Sequence, residues 1–146
     1  IQRAANSVSS SPLPIREAHV RADPTSRTVG TELAEALPLD SVSHPVLDRA
    51  RRVCIKMDVQ GYERQVLAGA ASFLASREVP VLFTEMSLVE LYEGQTTFLD
   101  HLILLRSLGF EPFHLQPGFS DESTGQTLQL DAVFLRKGDS TDRTAS

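Results

Sequence analysis

The spacing of apolar positions changes period inside one stretch, Arg52 to Ala70. Val53 to Met57 is a short apolar run with β-branched residues that stops at Asp58, and Gly61 follows as a turn residue. That pattern predicts a strand and a turn. From Tyr62 onward Val66, Leu67, Ala70, Phe73 and Leu74 recur at the spacing of one helix face, while Glu63, Arg64, Ser72 and Arg77 fall on the other. A second apolar run, Val81 to Thr84, predicts another strand, ending on Glu85. Strand, helix, strand is a βαβ unit. Its parallel strands end on the same edge of the sheet, where open α/β sheets bind ligands. Asp58 and Glu85 are therefore expected to face one crevice.

Downstream, Thr97 and Asp100 form a T-x-x-D capping pattern, Phe98, Leu102, Leu105 and Leu108 keep helical spacing, and Gly109 stops the helix. Phe110 to Leu115 and Thr127 to Leu135 read as strands separated only by 116–126, a loop with Pro117, Gly118 and Gly125. With no helix between them they pair antiparallel or not directly. The expected fold is α/β, a mostly parallel sheet closed by a C-terminal antiparallel hairpin. Asp131, in mid-strand, implies either an exposed face or a hydrogen bond to a loop, the second being favoured.

The upstream pattern is weaker. Residues 1–30 read as an irregular segment, with Ser7, Ser9, Ser10 and Ser11 before Pro12 and Pro14 and room for one short strand over 15–20. Thr31 to Leu39 fits a helix by propensity or an edge strand closing on Asp40. Ser43, Pro45, Val46, Leu47 and Ala50 predict a short helix. The main part of the domain then spans 31–137, and 138–146, almost devoid of apolar side chains, reads as a disordered tail.

Composition narrows the function classes. A chain of 146 residues with 41% apolar content suits one domain, and a net charge of −5 argues against nucleic acid as the main partner. Arg49, Arg51 and Arg52 cluster at a predicted helix end, where cations complement the dipole. Cys54, the single cysteine, is expected as a buried core thiol. His19, His44, His101 and His114 are scattered without ligand-spaced partners, so no metal site is expected. No signal peptide or membrane-length apolar run is present, which points to a soluble cytoplasmic protein without membrane contact. Ile1 rather than Met opens the chain, as expected for a trimmed chain or part of a longer protein.

Asp58 carries two readings that can coexist: an N-cap of the following helix, or a group that does chemistry. Glu85 is either a solvated strand end or a second catalytic carboxylate. Three blocks, I-K-M-D-V-Q-G-Y-E-R-Q-V-L-A-G-A, T-E-M-S-L-V-E-L-Y-E-G-Q, and L-G-F-E-P-F-H-L-Q-P-G-F-S-D followed by G-Q-T-L-Q-L-D-A-V-F-L-R-K, resemble the second half of an FkbM-family methyltransferase, from about Thr31 to Lys137. The resemblance implies a Rossmann-like class I fold that uses S-adenosylmethionine, with the Asp-x-x-Gly-x-Glu segment at the end of its fourth strand and an antiparallel terminal hairpin. It implies that Asp58, Gln60 and Gly61 line the cleft beside the cofactor, with Glu85 at the next strand end. The implied reaction is methyl transfer to a hydroxyl of a sugar or secondary metabolite, without a metal. Loop 116–126 and the turn Glu93-Gly94-Gln95 are where acceptor contacts are sought.

The departure concerns the cofactor half, whose glycine-rich turn should precede these blocks. The eight glycines contain no G-x-G pair. This chain by itself is therefore expected to lack that half and to be inactive alone. A catalytically inactive remnant serving as a scaffold or interaction module stays open as the alternative. A phospho-acceptor signalling domain fits less well: it needs an acidic pair near its first strand end and a lysine at its last, whereas Lys56 lies inside a strand and Lys137 follows the hairpin.

Overall fold

Leu82, Thr84 and Met86 are buried while Phe83 between them is exposed, and this two-residue period along one strand sets the layers of the molecule. The computed structural model describes residues 1–76 and 78–138. In chain order these form β1 (Gln2–Ala4), α1 (Glu17–Ala22), β2 (Thr28–Thr31), α2 (Pro45–Arg49), β3 (Ile55–Met57), α3 (Glu63–Ala68), α4 (Ala71–Ser76), β4 (Val81–Ser87), α5 (Phe98–Ser107), β5 (Phe110–Pro117), β6 (Ser120–Asp121), β7 (Gln126–Thr127) and β8 (Gln129–Arg136). The main sheet has the order β3-β4-β8-β5. β3 and β4 are parallel, with Met57 opposite Thr84, and β8 is antiparallel to both β4 and β5.

The α/β class and the antiparallel hairpin are as the pattern predicts, and the described sheet is mixed, with one parallel pairing. The connections explain it. Residues between β3 and β4 make the crossover that parallel neighbours need, whereas α5 carries the chain past a gap to β5, and β8 returns into that gap. One face of the sheet packs Met57, Leu82, Met86 and Phe134 against Leu67, Leu74 and Leu105 of the helices and Ala70 of the turn between α3 and α4. On the other face a row runs across all four strands, Lys56, Phe83, Val133 and His114, and Phe83 is 43% exposed there.

The predicted single helix after Tyr62 is two helices, and the break has a cause outside the helix. Gly69 sits where the chain around Pro38 passes: a Cβ on it would lie 3.2 Å from the Pro38 Cα. The Asp40 N–H donates to the Gly69 carbonyl at 2.9 Å, and the Asp40 carboxylate accepts the N–H groups of Ser72 and Phe73 at 2.9 and 2.7 Å. A remote aspartate thus caps α4. Those same bonds hold the Asp40 carboxyl below its ordinary pKa. Glu63, expected on the solvent face, is buried, and its carboxylate accepts the Gly61 N–H. Arg77 and the tail from 139 lie outside the described residues.

Other expectations change too. Residues 15–20 form no strand beyond one bridge at Ile15; α1 occupies 17–22, and its His19 is buried between the rings of Tyr92 and Phe119. Residues 31–39 are neither helix nor core strand: β2 pairs with β1 and ends at Thr31, and a 3₁₀ turn begins at Leu39. Cys54 is exposed rather than buried, because β3 is a short edge strand that starts after it. Asp131 is exposed, its nearest polar partner being Gln116 of the adjacent strand at 3.5 Å. The Thr97 cap is as predicted, the hydroxyl accepting the Asp100 N–H. No described helix is long and apolar enough to cross a membrane.

Arg136 closes the sheet end opposite the crevice. Its guanidinium donates to the carbonyls of Val79, Leu108 and Leu74 at 3.0, 3.2 and 3.3 Å and lies 4.4 Å over the Phe110 ring. Two of those carbonyls belong to helix ends, where the last carbonyls have no intrahelical donor. Arg136→Ala is expected to lower the unfolding free energy by about 3 kcal/mol, read from urea denaturation.

His101 in α5 is 2% exposed, its Nε2 has no hydrogen-bond partner, and burial pushes its pKa down to about 4. The unfolded chain therefore binds a proton below about pH 6.5 that the folded chain refuses until about pH 4. Stability contributed by neutral His101 is present above pH 6.5 and lost as pH falls to 4. The difference in unfolding free energy between wild type and His101→Leu should therefore slope through that window, and be flat above pH 7.

Candidate functional site

The chain leaves β3 at Met57 and must turn at once to enter α3. It does so through two consecutive left-handed residues, Gln60 (φ 51°) and Gly61 (φ 92°). Glycine is required at the second for a further reason: an added Cβ would come within 3.0 Å of the Tyr92 Cβ. Gln60 pays a steric cost of about 1 kcal/mol for its backbone, and its hydrogen bonds offset it. The Ser11 hydroxyl donates to the Gln60 carbonyl at 2.7 Å.

The Gln60 side chain ties the site together. Its Nε2 donates to Asp58 Oδ1 at 2.9 Å and to Glu85 Oε2 at 3.0 Å, and its Oε1 accepts the Tyr92 hydroxyl at 2.6 Å. Gln129 Nε2 makes a second bond to Glu85 Oε2 at 3.1 Å. Lys56 Nζ lies 3.2 Å from Asp58 Oδ2, an exposed pair of small energetic weight. Asp58 caps no helix: the N-cap of α3 is Tyr62, which gives no side-chain bond.

Glu85 is not at its strand end, because β4 continues to Ser87, and in the register it lies opposite Asp131. Its carboxyl is pushed up to about 7, first by burial and then by the negative charges of Asp58, Glu63 and Asp131, with Lys56 opposing. Glu63 is raised as well, chiefly by burial. A carboxyl poised near neutrality can both take and return a proton.

Two adjoining cavities open on this cluster and share Asp58, Glu85 and Asp131. One, of about 350 Å³, lies on the exposed sheet face with Lys56, Phe83 and His114. The other, of about 520 Å³, is bounded by Ser9 and His19 on one side and by Gly118, Phe119 and Gln129 on the other. Their shared wall is acidic, which suits a cationic or neutral polar guest and disfavours a phosphate. Among the described residues no group of three or more His, Cys, Asp or Glu is placed to hold a metal ion.

Of the residues singled out from sequence, Asp58, Gln60 and Glu85 meet here. Gly61 lines neither cavity; it is buried and shapes the turn. Gly118 and Phe119 of the 116–126 loop do line the larger cavity, whereas the turn at 93–95 lines neither. Gln95 instead accepts the N–H groups of Leu91 and Tyr92, at 3.0 and 2.7 Å, and so fixes Tyr92. Tyr92, Gln129 and Lys56 are additions. Lys56 shares the period-two spacing of Asp58 and Gln60 and was legible from it; nothing local marks the other two.

A family model described as the methyltransferase FkbM domain matches residues 2–112. The matched span reaches upstream of the blocks quoted above, through the serine-rich segment, and stops within β5. No curated protein and no solved structure matched the chain.

The carboxyl carbon of Glu85, followed by NMR in a ¹³C-labelled sample, is expected to titrate near pH 7. Asp58→Asn should move that midpoint downward by removing a like charge. A wild-type midpoint near the ordinary glutamate value would show that Glu85 is solvated.

Proposed function

The chain belongs to the FkbM methyltransferase family, and from that premise we propose that it serves S-adenosylmethionine-dependent methylation of a hydroxyl on a sugar or secondary metabolite. The observation that carries the reading is the meeting of Asp58 and Glu85 on the single amide of Gln60, at the carboxyl edge of a parallel strand pair. The Rossmann-like class I sheet belongs to the same proposal, supported by the β3-β4 crossover and the terminal antiparallel hairpin.

S-adenosylmethionine supplies an electrophilic methyl on a sulfonium, and the acid-rich wall formed by Asp58, Glu85 and Asp131 suits that positive charge. Asp58 and Gln60 are the residues that would lie against it. What the chain must do is align an acceptor oxygen and remove its proton. Glu85, poised near neutral pH, takes that proton when ionised; Asp58, held by Gln60 and Lys56, accepts a hydrogen bond from the acceptor hydroxyl and orients it. An acceptor oxygen held in this way would take the methyl group that the cofactor supplies, leaving a methyl ether, the neutral thioether and the hydroxyl proton on Glu85.

A scaffold of the same fold without turnover is the second reading, favoured by one observation: the sheet face bearing Phe83 is open in the described structure. The two separate in a labelled-methyl assay on the full-length protein with simple glycosides and polyols. Asp58→Ala is expected to lower kcat by about 10²-fold and to weaken cofactor binding far less. An unaltered rate removes Asp58 from the reaction. A full-length protein that neither binds S-adenosylmethionine in calorimetry nor transfers its methyl group is the scaffold.

A further inference from the structure

A carboxamide has two ends of opposite hydrogen-bonding character, and Gln60 stands where exchanging them would be costly. Its nitrogen faces Asp58 and Glu85 at 2.9 and 3.0 Å. Turned over, its carbonyl oxygen would face two carboxylates at similar distances. The group on its other side decides the orientation. The Tyr92 hydroxyl lies 2.6 Å from Oε1 and donates to it. Tyr92 is 0% exposed, its N–H is held by Gln95, its Cβ abuts Gly61, and its ring meets His19 edge-on at 5.2 Å. It cannot follow the amide if the amide turns.

The same hydroxyl also lies 3.2 Å from the Ser9 carbonyl. One proton serves one acceptor at a time, and the shorter contact is to Gln60. Burial and the surrounding carboxylates raise the phenol pKa, so Tyr92 stays a donor across neutral pH.

We propose that Tyr92 is a positioning residue of this site: its hydroxyl locks the Gln60 amide so that both N–H groups are presented to Asp58 and Glu85, holding the two carboxylates side by side. The functional meaning rests on the methyl-transfer reading. The lock itself rests on hydrogen-bond geometry alone, so the two can fail separately.

The groups facing Glu85 are Lys56 from β3, Asp58 and Gln60 from the turn, Glu63 from α3, Tyr92 from the loop after β4, and Gln129 and Asp131 from β8. Tyr92→Phe removes one oxygen and changes no charge at neutral pH. Any movement of the Glu85 titration therefore reports the freed amide. With its Oε1 deserted, Gln60 can rotate, the ionised form of Glu85 loses a donor, and the Glu85 midpoint rises.

The experiment uses this chain labelled with ¹³C-carboxyl glutamate and ¹⁵N-amide glutamine, with Glu85→Gln and Gln60→Leu spectra for assignment. Tyr92→Phe is expected to raise the Glu85 midpoint by about one pH unit and to move both Gln60 amide proton resonances toward those of a freely turning, solvated amide. Gln60→Leu should raise the midpoint by as much, and adding Tyr92→Phe to it should add nothing. An unchanged midpoint in Tyr92→Phe, or additive shifts in the double variant, overturns the proposal. Should Tyr92→Phe fail to fold, the wild type still decides: a slowly exchanging Tyr92 hydroxyl proton with cross-peaks to the Gln60 side chain is expected, and its absence counts against the lock. In an active full-length enzyme the acid limb of the kcat/KM profile should move with the Glu85 midpoint. A chain with no transfer activity but with these spectra keeps the lock and loses the enzyme reading.

Discussion

One amide side chain holds the carboxylate-lined end of the sheet together. Gln60 reaches Asp58 within its own turn, Glu85 on the neighbouring strand and Tyr92 on a distant loop, while its main-chain carbonyl takes the hydroxyl of Ser11. Bonds from an amide to ionised carboxylates contribute about 1.5–3 kcal/mol each when partly buried. That exceeds the cost of its left-handed backbone, which explains why a residue other than glycine is stable there. The strained turn and the site are therefore one arrangement: the same conformation that carries the chain from β3 into α3 aims the amide into the crevice.

The two ends of the sheet use opposite charges for different ends. At one end a single cation, Arg136, satisfies three carbonyls and seals the space between helices. At the other, Asp58, Glu85 and Asp131 gather with few cations nearby, and burial keeps Glu85 near neutrality. The first arrangement satisfies its donors with carbonyl oxygens and an aromatic face and adds rigidity. The second leaves charge under-compensated, a state that folded proteins tolerate mainly where a ligand or a proton is meant to arrive.

Much of this frame was legible in the sequence. The shift from strand to helical spacing around Asp58 located the crossover and put Asp58 and Glu85 on a common edge, and Thr97, Asp100 and Gly109 bounded α5 because capping is a local matter. What escaped depends on contacts between remote segments. The break at Gly69 is made by Pro38 and Asp40, some thirty residues upstream, and no pattern inside the helix announces it. Glu63 reads as a surface residue until the turn places the Gly61 N–H beside it. Tyr92 and Gln129 enter the site only because a loop and a returning strand arrive there, and Cys54 is exposed because the strand that was expected to bury it is short.

That remoteness has a kinetic side. The bonds that define the site join Ser9 to Tyr92, Ser11 to Gln60, Gln60 to Tyr92 and Gln129 to Glu85, separations of 83, 49, 32 and 44 residues. Each requires the closure of a long loop, whose entropic cost falls due before the contact repays it. No fragment emerging early during synthesis contains the set. Assembly of the carboxylate pair and completion of the fold are then the same event, and a chain halted short of β8 carries Asp58 and Glu85 without the Gln129 bond and the Asp131 charge that complete their surroundings.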